Sequence, residues 1–462
     1  MLSFLFLALS IAIPFTEAKP HSRLRRTCPS KSSGSSNSSS SSTSQTSRVA
    51  AGWYAGYHST DFPLSDVSWS KYTHLTYSFA TTTPDVNEVS LDDSDGSLLP
   101  QFVDTAHKNN VKALVSIGGW TGSKFFSNHV ATAANRTAFV KTVTELATKY
   151  NLDGIDFEYI GANTTRSWEY PGSKSGLECN SVASDDTANF LTFLQELRAD
   201  PVGKNLVLSA ATSITPWVDA NATPSKDISG FAKVLDWVAI MNYDIWGSWS
   251  TGVGPNAPLN DTCAAPAQQQ GSAVSAVKAW SDAGMPMNQI VLGVAAYGHS
   301  FHVDKATALT ANTLNVYPAF VATQQPAGDK WDGPAGSDDG CGVLTTQPGG
   351  IMDFWGLIDA KFLNANGTAA PGINYRFDDC SQTVRRPASA IIQAGVLTMT
   401  SHCQPFVYNE ATQVMVSFDD AHSFASKGDF IKSQNLRGFS MWEAGGDSAD
   451  ILLNSIRTAV GF

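Results

Sequence analysis

Eight short apolar, β-branched segments recur along the chain, separated by stretches of a different periodicity. They are VAAGWYAGY (49–57), THLTYSFA (73–80), VKALVSIGGW (111–120), LDGIDF (152–157), LVLSAATS (206–213), VLDWVAIMNYD (234–244), IVLGVAAYG (290–298) and LRGFSMWEA (436–444). Several are apolar on both faces, as parallel strands covered by helices must be. Intervening segments such as TANFLTFLQELRAD carry apolar residues at helical spacing. Strands alternating with crossover helices predict an α/β fold, a (β/α)8 TIM barrel. The interval 301–404 is longer than a normal crossover and rich in turns. It is expected to form a small α+β insertion between strands seven and eight. No internal repeat is present.

The flanking sequence bears on where such a barrel works. Residues 1–18 form a short apolar run ending at Glu17-Ala18, which predicts a signal peptide and is too short to favour a membrane span. Residues 19–47 are first basic, with Arg25-Arg26 a candidate processing site, and then serine-rich. Such a segment buries no apolar area and is expected to be a disordered linker. The barrel domain is placed at 48–462. Six cysteines, Cys28, Cys179, Cys263, Cys341, Cys380 and Cys403, show no metal-ligand spacing. In an exported chain they suggest disulfides. Sequons at Asn37, Asn135, Asn163, Asn221, Asn260 and Asn366 are compatible with export, either free outside the cell or at its wall. A net charge of −11 argues against nucleic acid and fits a neutral or cationic polymer. Neither a membrane nor a nucleic acid is expected as partner, and a monomer is expected.

In (β/α)8 barrels the reactive groups gather at the C-terminal ends of the strands. Those ends bring Gly118, Gly119 and Trp120 after strand three, and Asp153 and Asp156 on strand four. Met241, Tyr243 and Asp244 follow strand six, Tyr297 closes strand seven and Trp442 lies on strand eight. Tyr54, on strand one, is a further binding candidate. His74 and His299 read as satisfied or exposed histidines. Carboxylates, hydroxyls and aromatic plates therefore converge, without a His/Cys metal set or a phosphate-cradling glycine loop. This combination suits glycoside hydrolysis, in which a carboxylic acid protonates the leaving oxygen and aromatic faces hold the sugar.

The motifs SIGGW, DGIDF, MNYD and SMWE, in that order on strands three, four, six and eight, resemble glycoside hydrolase family 18, the chitinases. The stretches IMNYDIWGSWSTGVGPNAPLND and QIVLGVAAYGHSF look like its secreted fungal members. The resemblance covers the chain from about Arg48 onward. It implies substrate-assisted retaining cleavage of β-1,4-linked N-acetylglucosamine, in which the substrate's own acetamido oxygen attacks the anomeric carbon. A glutamic acid closing D-x-x-D-x-D-x-E would protonate the leaving oxygen, and the middle aspartate would bond the acetamido N–H. By match, Tyr243 and Asp244 would orient the acetamido group, Trp442 would floor the site and Trp120 would stack in an adjoining subsite. Chitin or chito-oligosaccharide is the implied partner, and no metal or organic cofactor is implied.

The motif is interrupted, however. Side chains alternate along a strand, so Asp156, residue 158 and residue 160 share the inward face. Without a gap, Glu158 replaces the middle aspartate and Ile160, which has no proton to give, stands at the acid's place. That chain would bind chitin without cleaving it. Removing EYIGANTTRS and supplying one aspartate instead gives DGIDF-D-WEYPG, with Glu169 as the acid. A GT donor within GAG-TAC and an AG acceptor within AGC permit that join as an unspliced intron. Removing Val384 to Gln404 likewise turns CSQTVRRPASAIIQAGVLTMTSHCQPFVYN into the family-like CSQTPFVYN. Cys403 would then be lost, and with Cys28 trimmed, Cys179–Cys263 and Cys341–Cys380 become the expected pairs; with the segment kept, Cys380–Cys403 is open. A third reading loops the insertion out so that Glu169 re-enters, at the cost of a large bulge and no middle aspartate. The sequence reading is a chitinase with Glu169 as acid if the interruption is absent from the working protein. A non-catalytic chitin-binding barrel and an endo-β-N-acetylglucosaminidase are the alternatives.

Overall fold

Each of the eight expected segments forms a strand. The computed structural model describes residues 47–158, 179–338, 340–378 and 404–462. The barrel strands are β1 (Val49–Ala55), β2 (His74–Thr82), β3 (Lys112–Gly118), β4 (Gly154–Glu158), β5 (Val207–Thr212), β6 (Trp237–Ile240), β7 (Ile290–Ala295) and, after the insertion, β13 (Gly438–Trp442). They are parallel in the order β1-β13-β7-β6-β5-β4-β3-β2, and a further β1–β2 pairing closes the barrel. Closure leaves no open edge, so every strand must be covered on both faces, which explains their apolar runs.

Alternation along β1 sorts the two faces. Val49, Ala51 and Trp53 join an inner cluster with Leu114, Ala211, Trp237 and Met241. Ala50 and Tyr54 face outward into the larger cluster between strands and helices. That outer layer includes Leu75, Val115, Phe157, Leu208 and Leu292 from the strands, packed against α1 (Leu99–Lys108), α2 (Ala133–Tyr150), α3 (Asp186–Ala199), α4 (Ala273–Asp282), α5 (Ala421–Ser433) and α6 (Ile451–Val460). Local chemistry sets the helix ends. Thr132 accepts from the Asn135 N–H at the start of α2, while Ser272 and Asp420 make reciprocal capping boxes with Ser275 and Ser423. Asn151, left-handed at φ 54°, ends α2 and turns the chain toward β4.

Between β7 and β13 the chain builds an antiparallel sheet, the α+β insertion expected there. Its strands are β8 (Tyr297–His302), β9 (Ile351–Asp353), β10 (Asn374–Phe377), β11 (Pro405–Asn409) and β12 (Val414–Ser417), ordered β9-β8-β12-β11-β10. The single apolar run 290–298 thus divides between the last residues of barrel strand seven and the first strand of the insertion. This break at Ala296 delivers Tyr297 and His299 to the barrel mouth.

The disulfide expectation needs correcting. Cys179 is bonded to Cys341, not to Cys263, and Cys341 is thereby unavailable to Cys380. The loop after β4 meets the insertion at this point, with the two Cα atoms 5.6 Å apart, a proximity that the order of cysteines along the chain does not reveal. Cys263 is disulfide-bonded as well. Among the described residues, no helix is long and apolar enough to cross a membrane. The expectations placed on residues 1–46, on Ile160 and Glu169, on Cys380 and Cys403, and on 384–403 lie outside the described residues.

Candidate active site

The interrupted strand holds its register to its last described residue. β4 pairs with β3 from Leu114↔Gly154 to Gly118↔Glu158 without a bulge. Beyond that pair, the Glu158 carbonyl accepts the Gly119 N–H at 3.1 Å and the Ser123 hydroxyl at 2.9 Å. Gly118 is required here, because at φ 113° a Cβ would stand 2.3 Å from the Glu158 oxygen. Gly119, at φ 85°, lies against the Phe79 ring. The two glycines shape the mouth rather than line it.

Asp156 and Glu158 both point inward and are both buried. Asp156 is wired by three donors: Trp53 Nε1 at 3.1 Å and Ser116 Oγ at 2.9 Å to Oδ2, and Ser209 Oγ at 2.6 Å to Oδ1. Burial raises its pKa and these hydrogen bonds oppose the rise. Glu158 is pushed up to about 8, first by burial and then by the Asp156 charge. The donors favour the anion on Asp156, so at neutral pH Glu158 is the member of the pair that keeps a proton.

Above them opens a cavity of about 580 Å³. Glu158, Met241, Tyr243, Asp244, Tyr297 and Trp442 line it, with Trp120 at the rim, 40% exposed. Trp442 is held by Phe79, stacked at 5.6 Å between ring centres, and by Trp53 at 6.0 Å. Asp244 adopts a left-handed φ of 56°. Its N–H donates to Asn256 Oδ1 at 2.9 Å, while its Oδ1 accepts from the Tyr297 hydroxyl and from His299 Nε2, each at 2.7 Å.

A smaller recess of about 280 Å³ adjoins the groove, sharing Tyr57, Asp244, Tyr297 and Trp442 with it. Glu443 lies there 3.0 Å from His58 Nδ1, and His58 stacks on Trp331 at 3.9 Å. Glu443 and Asp353 are both raised by burial, Asp353 further by the Glu443 charge, while His58 opposes the rise at Glu443.

Two sequence candidates do not reach this site. Asp153 lies one residue before β4, at the N-terminal end of the barrel rather than at its mouth. There it binds Lys112 Nζ at 2.6 Å, His107 Nε2 at 2.8 Å and the Ala113 N–H at 2.9 Å. Tyr54 faces the outer layer, its hydroxyl donating to the Phe62 carbonyl at 2.9 Å; its neighbour Trp53 is the β1 residue that serves the site. Sequence reasoning missed Trp53, Ser116 and Ser209, although a lone polar residue at the inward parity of an apolar strand was a usable signal for both serines. It also set aside His299, which lines the groove. Asp156, Met241, Tyr243, Asp244, Tyr297 and Trp442 do converge. Among the described residues, no group of His, Cys, Asp or Glu could hold a metal ion.

Chemically, this is an aromatic-floored groove with an anchored anion, a neighbouring protonated carboxyl group, and a hydroxyl–carboxylate pair on the opposite wall. It can stack a sugar ring and bond its polar substituents from two sides. The family model described as glycosyl hydrolases family 18 matches residues 49–447. A protein of Moniliophthora perniciosa named "chitinase-like effector" is 51% identical over 89% of this chain and 87% of its own. One of the same name from Moniliophthora roreri is 50% identical over 90% and 93%. The crystal structure of a chitinase from Rhizomucor miehei superposes with a TM-score of 0.74 at 28% identity, over 89% of this chain and all of that one.

Proposed function

The chain belongs to glycosyl hydrolases family 18, and on that premise we propose that its groove binds chains of β-1,4-linked N-acetylglucosamine and, in the sequence as translated, holds them without efficient cleavage. The unbroken register of β4 through Glu158 carries this reading. It supports reading Glu158 as the counterpart of the motif's middle aspartate, and in the sequence the next position of that parity is Ile160. An aliphatic side chain there removes the general acid, typically worth on the order of 10²–10⁴ in rate. The name "chitinase-like effector" borne by the two Moniliophthora proteins supports it. The binding machinery is retained: Tyr243 and Asp244 orient the acetamido group, Trp442 floors the sugar and Trp120 stacks its neighbour. The protein works outside the cell, as a monomer.

A second reading is favoured by the completeness of the rest of the site: hydrolysis with Glu169 as acid, the anomeric carbon being attacked by the substrate's own acetamido oxygen. One pair of measurements separates the two. Titration calorimetry with tetra-N-acetylchitotetraose reads binding, and release of a fluorescent group from a chitobiose glycoside reads turnover. Saturable binding without turnover is the expected result. Turnover abolished by Glu169→Gln would establish the hydrolase instead, and sequencing the spliced message would show whether 158–167 and 384–404 are translated.

A further inference from the structure

The conformation of Asp244 is fixed from outside the barrel. Its backbone occupies the left-handed region, and both side-chain donors come from β8, the first strand of the insertion. Tyr297 and His299 are two residues apart on β8 and so share one face, and both deliver a hydrogen to the same oxygen, Oδ1, at 2.7 Å. Oδ2 has no hydrogen-bond partner among the described residues and is left to the groove, which Asp244 lines.

The His299 ring is almost fully buried, 3% exposed, and its Nδ1 has no hydrogen-bond partner. A hydrogen on Nδ1 would be buried without an acceptor, whereas one on Nε2 meets a carboxylate. The tautomer is thereby set with the hydrogen on Nε2, aimed at Asp244. Edge-on packing against Trp249 at 5.2 Å and Tyr297 at 5.9 Å leaves the ring little freedom.

Resting on the reading of the groove as an N-acetylglucosamine site, we infer that His299 is a positioning residue for ligand recognition: it locks Asp244 so that Oδ2 faces the sugar's polar substituents. The residue acts through Asp244. It also makes recognition depend on the docking of the insertion sheet, since β8 supplies both restraints.

The test is calorimetric binding of tetra-N-acetylchitotetraose to the wild type and to His299→Leu, His299→Gln, Asp244→Asn and the His299→Leu/Asp244→Asn double variant, with melting temperatures for each. Losing a hydrogen bond to a charged group should weaken binding by roughly tenfold or more in His299→Leu. Glutamine places an amide N–H near the imidazole Nε2 position, so His299→Gln should bind within about threefold of wild type. In the Asp244→Asn background His299→Leu should cost nothing further, because the group it positions is already altered. A merely structural histidine would lower melting temperature and give additive losses, with no rescue by glutamine. Wild-type affinity in His299→Leu, or additive losses in the double variant, overturns the inference alone. Absence of binding by the wild type overturns the reading of the groove and the inference with it.

Discussion

Asp156 and Glu158 stand on the same face of one buried strand, and their surroundings divide a single negative charge between them unequally. Three donors hold the anion on Asp156, whereas no hydrogen bond among the described residues reaches the Glu158 carboxyl group, which is pushed up to about 8. An unfolded glutamate titrates near 4.5, so between these values the folded chain binds a proton that the unfolded chain has released. Stability from this group is fully present below pH 4.5 and is lost as pH rises through about 8. The gap corresponds to on the order of 5 kcal/mol. Glu158→Gln, which cannot ionise, should therefore gain on the wild type as pH rises from 5 to 8. Urea denaturation of both proteins across that range checks this; parallel curves would show that Glu158 is not a buried acid.

Restoring the motif should restore chemistry. Replacing Glu158 by aspartate and Ile160 by glutamate recreates D-x-x-D-x-D-x-E on the strand whose register already runs true to residue 158. A general acid typically contributes on the order of 10²–10⁴ in rate, so the double variant should release a fluorescent group from a chitobiose glycoside at least a hundredfold faster than the parent. If the parent turns over equally fast, and Glu169→Gln stops it, the acid enters from beyond the interruption.

The barrel was legible because its strands are covered on both faces, which writes each as an apolar run. Finer assignments depended on which face a residue takes and at which end of a strand it stands, and a motif specifies neither. Trp53 and Tyr54 are adjacent aromatics on β1, and parity gave the site to the first and the outer core to the second. Asp153 belongs to the same motif as Asp156 yet precedes the strand, which puts it at the opposite end of the barrel. His299 and Glu443 were not legible as site residues, since their partners Asp244 and His58 are separated from them by 55 and 385 positions. The Cys179–Cys341 bond was hidden for the same reason, spanning 162 residues.

Asp153 supplies a test of that spatial division. It ties β4 to β3 through Lys112, His107 and the Ala113 N–H. Burial would raise its pKa, but these hydrogen bonds outweigh burial and hold it below 3.8. Its contribution is present above 3.8 and disappears as pH falls through the lowered folded value. Lys112 is largely exposed, so solvent screening limits the effect to about 1 kcal/mol. Asp153→Asn should thus melt a few degrees below the wild type at pH 7, the difference shrinking as pH falls below 3.8, while its oligosaccharide affinity stays unchanged. A loss of affinity at unchanged stability would return Asp153 to the site.

The tryptophans at the groove should separate binding from stability in the other direction. Trp442 is packed between Phe79 and Trp53 and lines the groove, so Trp442→Ala removes core contacts and part of the groove wall together. Trp120 is 40% exposed at the rim and supports little of the fold. Trp120→Ala should leave the melting temperature within a degree or so of wild type and weaken tetra-N-acetylchitotetraose binding about tenfold, from the loss of roughly 1–2 kcal/mol of apolar burial against the sugar face. Stacking on a neutral sugar is insensitive to ionic strength, whereas capture of a cationic, deacetylated chain by ionised carboxylates would weaken as salt screens the charges. Calorimetry of both variants at low and high salt therefore assigns the groove's ligand by its charge. Affinity for the acetylated tetramer that is independent of salt and falls with Trp120 is the expected result, and affinity that survives Trp120→Ala but collapses in salt would replace a neutral polymer with a cationic one.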